Sequence, residues 1–337
     1  MKGALLVNLG SPNSTSTKDV KQYLDEFLMD ERVIDVPYWL RTFIVRGIIL
    51  NTRPKKSAAA YKKIWWKEGS PLIVLSQRLR SKVAANTNMP IELAMRYGNP
   101  SLESGIASLV NKGVTEIFLL PLYPQFAMAT TETISVLANE IISKKFPEVT
   151  LKIWPAFYDD ESYINVLSNT IKKDLEVNKP EHLLFSYHGV PERHIRKSDV
   201  TKQHCKINAK CCETPSKAHE FCYRHQCYTT TKLVAEKLGL KEGSYSTSFQ
   251  SRLGVDPWLQ PFTDQTIAGF PNKGIKNLSV VTPAFVSDCL ETLEEIGIEA
   301  KESFKENNGE HFNTIPCLND NDDWAKVISS WINNWAQ

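Results

Sequence analysis

The sequence predicts an α/β protein built from two similar halves, each with its own parallel sheet. Two observations support this prediction. The chain has 337 residues, enough for about two domains, and short apolar runs alternate with helical patterns along most of it. Repeated βα units joined by short loops favour parallel strands with right-handed crossovers.

The first half, residues 1–154, contains four runs that are typical of buried strands. They lie at residues 3–7, 91–95, 116–120 and 149–154. An amphipathic helix follows the first of them, with apolar residues at helical spacing: Val20, Tyr23, Leu24, Phe27 and Leu28. The loop after the first strand has neither Gly-x-Gly-x-x-Gly nor Gly-Lys-Ser, so we do not expect it to bind a pyrophosphate.

The second half, residues 155–310, repeats this alternation. Strands are predicted at 183–188, 244–249 and 278–281, and helices at 163–175, at 229–238 and from about Ser287. Residues 311–337 are expected to form a C-terminal helix. Its apolar residues fall on one face, which predicts a packing surface: Trp324, Val327, Ile328, Trp331, Ile332 and Trp335.

Composition excludes several classes of protein. The chain is 42% hydrophobic and 23% charged, which is ordinary for a globular protein. A net charge of +2 argues against an extended nucleic-acid surface. No run of about 18 apolar residues occurs, and the apolar part of the N-terminus is too short for a signal peptide. We therefore expect a cytoplasmic protein.

Residues 32–56 combine apolar and basic residues in an unusual way. Apolar stretches at 36–40 and 43–45 are interrupted by cations, namely Arg32, Arg41, Arg46, Arg53, Lys55 and Lys56. The segment is too short and too charged to span a bilayer. It is either a partly buried helix or an apolar lip that meets a flat hydrophobic ligand or a membrane surface.

Two features predict chemistry at the carboxyl ends of strands, where open α/β sheets bind their ligands. His188 ends an apolar run and is followed by Gly189. Glu291, Glu295 and Glu299 are four residues apart, with Asp288 three residues earlier, so an α-helix would place all four on one face.

This acidic face is either simply solvated or a carboxylate column that carries divalent cations or protons. A histidine opposite such a column resembles a proton-abstracting base paired with a metal-handling acid.

Five of the seven cysteines fall within 23 residues, and only Cys289 and Cys317 lie elsewhere. The five are Cys205, Cys211, Cys212, Cys222 and Cys227. In a reducing compartment this clustering suggests a metal site before disulfides.

Taken in order along the chain, these segments resemble the ferrochelatases, enzymes that insert ferrous iron into protoporphyrin at the end of haem synthesis. The matching motifs are Leu-Val-Asn-Leu-Gly-Ser-Pro near the start, Glu-Gly-Ser-Pro-Leu at 68–72, Arg-Tyr-Gly at 96–98, Leu-Pro-Leu-Tyr-Pro-Gln at 120–125, Ser-Tyr-His-Gly at 186–189, Phe-Gln-Ser-Arg at 249–252, Pro-Trp-Leu at 257–259 and Phe-x-x-Asp-x-x-Glu-Thr-Leu-x-Glu at 285–295. They cover nearly the whole chain.

The resemblance implies two Rossmann-like, chelatase-type domains with the porphyrin in a cleft between them, and a C-terminal helix that packs back on the first domain. It matches His188 to the essential histidine and Glu291 to its acidic partner, with Asp288, Glu295 and Glu299 as an acidic path for metal or protons. The expected porphyrin-binding residues are Leu9, Arg96, Tyr97, Tyr123, Gln250, Ser251, Trp258 and Phe285, together with the lip at 36–50. A leucine at position 9 cannot coordinate metal, and with the lip it favours protoporphyrin over coproporphyrin.

The segment at 192–228 is longer than in simple members of the family and contains the five clustered cysteines. Some bacterial ferrochelatases hold a [2Fe-2S] cluster on such an insertion. Because a cluster takes four thiolates, one cysteine is expected to be spare, either Cys211 or Cys212. The rival is structural zinc held by four Cys, or by Cys and His.

Two other functions remain open at this point. One is a cobalt chelatase of the same fold, and the other is a non-catalytic haem-binding or iron–sulfur sensor.

Overall fold

The structure is a computed structural model that describes residues 1–208, 210–252, 254 and 256–337. Two four-stranded sheets, with every strand pair parallel, form its framework. The strands are β1 Lys2–Ser11, β2 Ile91–Gly98, β3 Glu116–Pro121, β4 Thr150–Ile153, β5 His182–His188, β6 Tyr245–Gln250, β7 Asn277–Val281 and β8 His311–Thr314. The strand orders are β2-β1-β3-β4 and β6-β5-β7-β8. The predicted α/β class with parallel sheets is confirmed.

Helices connect the strands. The α-helices are α1 Thr17–Leu28, α2 Tyr38–Thr42, α3 Leu50–Ile64, α4 Pro71–Ala85, α5 Leu102–Asn111, α6 Thr133–Lys145, α7 Glu161–Asn178, α8 Glu192–Lys197, α9 Tyr223–Leu238, α10 Thr263–Gly269, α11 Lys301–Glu306 and α12 Asp322–Ala336. Three segments are π-helices, in which hydrogen bonds run from i to i+5: Phe43–Ile49, Met128–Glu132 and Glu291–Ala300. Two short 3₁₀ helices lie at Lys217–Phe221 and Pro271–Lys273.

The first of two compact units comprises Met1–Tyr123, Met128–Pro155 and Asn319–Gln337. Its core lies between one face of the sheet and helices α5 and α6, and contains Leu5, Leu119, Ile106 and Ile134 among its fully buried residues. Helix α12 belongs to this unit. Its Trp331 stacks on Trp154 at 5.6 Å between ring centroids.

The second unit comprises Pro124–Ala127 and Ala156–Leu318, and its core includes Leu184, Leu278, Val280 and Phe304. The strand β8 corrects the expectation that residues 311–337 are all part of a C-terminal helix. Residues His311–Thr314 pair with β7, and α12 begins only at Asp322. A strand of four residues is too short to show a period of its own, so the sequence pattern missed it.

Two helix starts also differ from the prediction. Helix α9 begins at Tyr223, six residues before the predicted start, and the helix expected from Ser287 begins at Leu290. Of the helices in the described part of the chain, none is long and apolar enough to cross a membrane.

Candidate active site

The carboxyl end of β5 places His188 at the edge of the second sheet. The chain turns immediately after it, where Gly189 donates its N–H to the Gln250 carbonyl at 2.6 Å. A Cβ at position 189 would lie 2.8 Å from the Ser251 carbonyl oxygen. Only glycine therefore fits this close approach of two backbones, and the turn fixes where His188 leaves the strand.

The orientation of the His188 ring is set by the backbone beside it. Its Nδ1 lies 2.7 Å from the Gly189 carbonyl oxygen, and because a carbonyl oxygen only accepts, Nδ1 must carry the proton. The other ring nitrogen, Nε2, then keeps its lone pair and can accept a proton. The Phe285 ring lies edge-on at 6.2 Å between centroids. His188 is half-buried, so its imidazole has partly apolar surroundings.

The π-helix Glu291–Ala300 brings carboxylates towards this histidine. Gln250, which pairs with His188 across the strands, donates its side-chain amide to the Glu291 carbonyl at 3.3 Å. The Glu295 carboxylate accepts hydrogen bonds from the Ser251 backbone N–H at 3.0 Å and from its hydroxyl at 2.6 Å. The strand ends and the helix are therefore bonded to each other at this edge.

Glu295 is the acidic group whose ionisation is perturbed most clearly at the site. Burial raises its pKa, the Ser251 hydrogen bond and the His188 charge oppose this, and the negative charge of Glu291 raises it further. The net result is a pKa above the ordinary value for glutamate. A carboxyl group in this position can exchange a proton more readily near neutral pH than an exposed glutamate can.

Asp288 and Glu299 do not join one acidic face, contrary to the prediction. Asp288 precedes the helix and is buried, accepting the Thr292 hydroxyl at 2.9 Å, while Glu299 is exposed. The prediction assumed α-helical spacing, but the segment has i to i+5 bonding, which widens each turn. Glu294, which the sequence analysis did not select, is buried at 5% exposure.

Two polar residues expected to bind porphyrin have structural partners in the second unit. Gln250 is 2% exposed, and its Oε1 accepts a hydrogen bond from the Ser186 hydroxyl at 2.8 Å. Its buried side chain therefore supports the site by hydrogen bonds to neighbouring residues. Ser251 has a positive φ of 59°, which directs both of its donors at Glu295. Trp258 and Phe285 are half-buried and keep surface that a flat ligand can contact.

In the first unit, the residues predicted to bind porphyrin divide into accessible and buried ones. Leu9 and Arg96 are half-buried at the ends of β1 and β2. Tyr97 is fully buried, which is at odds with the expectation that its ring contacts porphyrin, and Tyr123 is 8% exposed with its hydroxyl on Asn8 Oδ1 at 3.0 Å. These tyrosines pack behind the edge of the sheet.

Arg96 is held by a buried acceptor, Asp30, that the sequence analysis missed. The Asp30 carboxylate pairs with the Arg96 guanidinium and accepts the hydroxyls of Thr133 and Tyr97, the latter at 2.9 Å. Burial raises the pKa of Asp30, but these hydrogen bonds, the Arg32 N–H and the Arg96 charge outweigh it, and the pKa lies below its usual value. Asp30 therefore stays ionised as the counterion of Arg96.

Comparison with known proteins gives one consistent result. A family model described as "Ferrochelatase" matches residues 1–335. A ferrochelatase of Pseudomonas fluorescens is 48% identical over 328 residues, covering 97% of this chain and 96% of the relative. One of Opitutus terrae is 44% identical over 339 residues, covering 100% and 98%.

The chain belongs to the ferrochelatase family.

As a ferrochelatase it is a lyase, a metal chelatase that inserts ferrous iron during haem biosynthesis. Among solved structures, SirB from Bacillus subtilis with Fe³⁺ matches with a TM-score of 0.53 at 13% identity, covering 100% of this chain and 98% of that one. The sirohydrochlorin chelatase SirB in complex with cobalt matches with a TM-score of 0.55 at 10% identity, covering 99% and 94%. At such identity these two show a shared chelatase-type fold.

The cysteine-rich insertion of this ferrochelatase brings several thiols into contact. Cys222 contacts both Cys205 and Cys212, and Cys212 contacts its neighbour Cys211. Burial raises the pKa of Cys205 to about 11. Contact with Cys222, followed by burial, raises the pKa of Cys212 well above its usual value. Without a metal, the thiols of Cys205 and Cys212 are therefore protonated at neutral pH.

Neighbouring groups fix the backbone and the charge around these thiols. Asp199 accepts the backbone N–H groups of His204 and Cys205 at 2.8 and 2.9 Å. Arg224 donates to the sulfur atoms of Cys212 and Cys211 at 3.2 and 3.7 Å. A cation beside sulfur stabilises thiolates, the form in which cysteine binds metal.

The fifth cysteine, Cys227, has different surroundings. It is fully buried on α9, burial raises its pKa well above the usual value, and its thiol is hydrogen-bonded to the Tyr223 hydroxyl. The four other thiols are thus the ones that contact each other. This arrangement differs from the expectation that Cys211 or Cys212 is the spare residue.

Histidines that could take part in the zinc alternative surround the same loop, but one ring nitrogen of each already has a backbone partner. The Nε2 atoms of His204 and His219 lie 2.7 and 3.0 Å from the Cys211 carbonyl oxygen, and His225 bonds the Cys212 carbonyl at 2.8 Å. Across the described ranges, no three His, Cys, Asp or Glu side chains are grouped so that they could hold a metal ion.

Proposed function

We propose that this ferrochelatase inserts Fe²⁺ into protoporphyrin IX to form protohaem, with His188 as the acceptor of a pyrrole proton. The observation that carries the proposal is the bond between His188 Nδ1 and the Gly189 carbonyl at 2.7 Å. It leaves Nε2 as a free base on a residue fixed at the end of a strand. Insertion releases two pyrrole protons for each Fe²⁺ bound, so the site needs two acceptors.

His188 takes one pyrrole proton on Nε2. Glu291 steers the incoming metal or receives the second proton, and Glu295, whose pKa is raised mainly by burial, passes protons onwards. Asp288 is buried behind the loop, where it holds Thr292, and Glu299 is exposed at the far end of the helix. We therefore assign them to the entry or exit of ions, away from the pyrrole nitrogens.

The porphyrin is contacted by Leu9 and Arg96 of the first unit and by Ser251, Trp258 and Phe285 of the second. Leucine has no atom that can coordinate metal, so no axial ligand comes from the loop at position 9. The Arg96 cation suits a carboxylate substituent of the macrocycle. We favour protoporphyrin over coproporphyrin because Leu9 and the lip are apolar.

The test is an anaerobic assay of metal insertion by the purified protein. We expect turnover with Fe²⁺ and protoporphyrin, slower turnover with coproporphyrin, and loss of turnover in His188→Ala but not in His311→Ala, an exposed histidine of the same unit. Insertion of Co²⁺ in preference to Fe²⁺ would favour the cobalt chelatase. Binding of haem without any metal insertion would favour the sensor.

We further propose that the insertion binds a [2Fe-2S] cluster through Cys205, Cys211, Cys212 and Cys222. The proposal is supported by a series of thiol contacts that runs from Cys205 through Cys222 and Cys212 to Cys211, beside the Arg224 guanidinium. Four thiolates are the number that a cluster requires, and the thiols would have to move closer together to bind it. When bound, the cluster would cross-link the loop and supply a redox-active centre. Cys227, directed at Tyr223 instead, is left out.

Visible absorption and metal analysis of the purified protein test this assignment. We expect two irons and two sulfides per chain, lost in Cys222→Ser and kept in Cys227→Ser. Colourless protein with one zinc would support the structural-zinc alternative. A cluster lost in Cys227→Ser and kept in Cys211→Ser would restore the original expectation about the spare cysteine.

The lip at 36–50 is proposed to touch a membrane surface from the cytoplasm. Tyr38, Trp39, Phe43 and Ile48 are each at least half exposed, and Lys55 on the following helix is exposed as well. Apolar rings beside cations are typical of segments that lie on anionic membranes.

Co-sedimentation with vesicles of phosphatidylglycerol and phosphatidylcholine tests this membrane contact, and we expect vesicle binding to fall in Trp39→Ser. Unchanged vesicle binding with a raised KM for porphyrin would instead make the lip part of the substrate site.

A further inference from the structure

Helix α9 connects the cysteine-rich insertion to the backbone of His188. The helix begins directly after Cys222, and its first residue, Tyr223, is 5% exposed. The Tyr223 hydroxyl donates to the His188 carbonyl oxygen at 2.8 Å. A residue of the insertion therefore holds the main chain of the proposed base.

The peptide group between His188 and Gly189 takes part in two hydrogen bonds, of which the bond from Tyr223 is one. The His188 carbonyl and the Gly189 N–H belong to one planar peptide unit. Tyr223 binds its oxygen at 2.8 Å, and the Gln250 carbonyl accepts from its nitrogen at 2.6 Å. Held at both ends, this peptide cannot rotate without breaking a hydrogen bond.

The next carbonyl, that of Gly189, accepts the proton of His188 Nδ1. Its position follows from the orientation of the clamped peptide. Rotation of that peptide would move the acceptor away from Nδ1 and would free the ring to turn or to change tautomer. Nε2 would then no longer present its lone pair in a fixed direction.

We propose that Tyr223 is a positioning residue for iron insertion, which holds the His188–Gly189 peptide so that the imidazole keeps Nε2 free and fixed. The inference rests on the proposed role of His188 as proton acceptor. A phenol hydroxyl carries one proton to donate, and the His188 carbonyl oxygen accepts it at 2.8 Å.

The chain offers a closely matched control in Tyr187. It is fully buried, and its hydroxyl is bonded to Thr231 Oγ1 of the same helix at 2.9 Å. Tyr187→Phe and Tyr223→Phe each remove one buried hydroxyl at the contact between β5 and α9. Only the second variant releases the His188–Gly189 peptide, so a purely structural role would affect both alike.

The experiment measures kcat and KM for Fe²⁺ insertion into protoporphyrin by the wild type and by both variants, with urea unfolding and the visible spectrum of each. We expect Tyr223→Phe to lower kcat by about tenfold, less than the roughly 10²-fold that a misplacement of about 1 Å can cost, with KM for porphyrin unchanged. Tyr187→Phe should keep the wild-type kcat, and the two should unfold at similar urea concentrations. Equal kcat values for the two variants would overturn the inference.

A second readout does not depend on turnover. In spectra of protein labelled with ¹⁵N-histidine, the wild type should show His188 as a single Nδ1-protonated tautomer, and Tyr223→Phe should show a mixture. A single tautomer in the variant would count against the positioning role even if kcat fell. Wild-type protein that inserts no iron, or a His188→Ala variant at full activity, would refute the proposed function separately.

Discussion

The two units have sheets with the same strand order, yet the ends of their central strands carry different chemistry. Near the carboxyl end of β1, Leu9 precedes Gly10, and at the end of β5, His188 precedes Gly189. Both glycines lie close to a neighbouring main chain: a Cβ at Gly10 would meet the Tyr97 carbonyl at 1.8 Å, and one at Gly189 would meet the Ser251 carbonyl at 2.8 Å. The close approach of two main chains is therefore common to both, and the preceding residue differs.

The acidic residues near the ends of these two strands also differ, in whether they are held in the charged form. In the first unit Asp30 is paired with Arg96, and its pKa lies below the usual value because its hydrogen bonds and that cation outweigh burial. In the second, burial, opposed only in part by Ser251 and His188, keeps the pKa of Glu295 above its usual value. One carboxylate is fixed in the charged form, whereas the other can be protonated.

Each unit also has a π-helix after its third strand. The one in the first unit, Met128–Glu132, is short, and its single acidic residue, Glu132, is paired with Arg32 at 3.3 Å. The one in the second unit, Glu291–Ala300, has ten residues, four of them glutamates. This difference agrees with the proposal that the second unit supplies the groups that move protons and metal.

The largest effect on kcat is expected when one glutamate is replaced by glutamine in each of these two π-helices, in separate variants. Glu291→Gln should lower kcat for Fe²⁺ insertion about 100-fold, because a group that handles metal or protons is lost. Glu132→Gln, which removes only a partly buried ion pair with Arg32, should stay within about twofold. Steady-state assays of both variants check this. Equal losses would mean that the division of roles between the units is wrong.

The next effect concerns stability. Asp30→Asn should lower the free energy of unfolding by about 3 kcal/mol, since the half-buried Arg96 loses its counterion. Glu295→Gln should change it by less than about 1 kcal/mol, because burial already disfavours the charged form of Glu295. Urea denaturation at pH 7 measures both values. A larger loss in Glu295→Gln than in Asp30→Asn would reverse the comparison.

The pH dependence of stability should have opposite signs in the two units. The depressed pKa of Asp30 gives a stabilising contribution that is present above the unfolded pKa and is lost as pH falls through the folded pKa. The raised pKa of Glu295 gives a stabilising contribution of the opposite kind. It is present below the pKa of the unfolded state and is lost as the pH rises through the pKa of the folded state. The stability gap between wild type and Asp30→Asn should therefore shrink in acid, whereas Glu295→Gln should gain relative to wild type towards neutral pH.

The smallest effect is expected at Ser251. Its hydroxyl lowers the pKa of Glu295, so Ser251→Ala should raise that pKa further and move the acidic limb of the pH–rate profile to higher pH. Ser248→Ala removes another hydroxyl of the same strand region, one bonded to Thr263 instead, and should leave the limb in place. Coinciding profiles for both variants would show that Glu295 does not control the rate.

The sequence predicted the fold class and the position of His188 well, because both depend on features that a linear pattern contains. An apolar run followed by a histidine and a glycine marks the end of a buried strand, and the structure ends β5 at that residue. The acidic segment was harder to predict. Four-residue spacing describes a face only if the helix is an α-helix, and nothing in Glu291 to Glu299 reveals i to i+5 bonding.

The partners of functional residues were also hidden from the sequence. Asp30 reaches Arg96 from 66 residues away, and Tyr223 reaches the His188 carbonyl from 35 residues away. Such contacts depend on how the elements pack. Likewise, adjacency in sequence suggested that Cys211 or Cys212 is spare, whereas the helical position of Cys227 directs its thiol at Tyr223.

The most direct test of the division between the units is His188→Leu, which gives the end of β5 the residue that precedes Gly10 in β1. The measurement is kcat for anaerobic Fe²⁺ insertion into protoporphyrin, with folding checked by urea denaturation. We predict a folded protein that still binds porphyrin and whose kcat falls at least 100-fold, because no base remains at the end of β5. A folded His188→Leu variant with wild-type turnover would contradict the account.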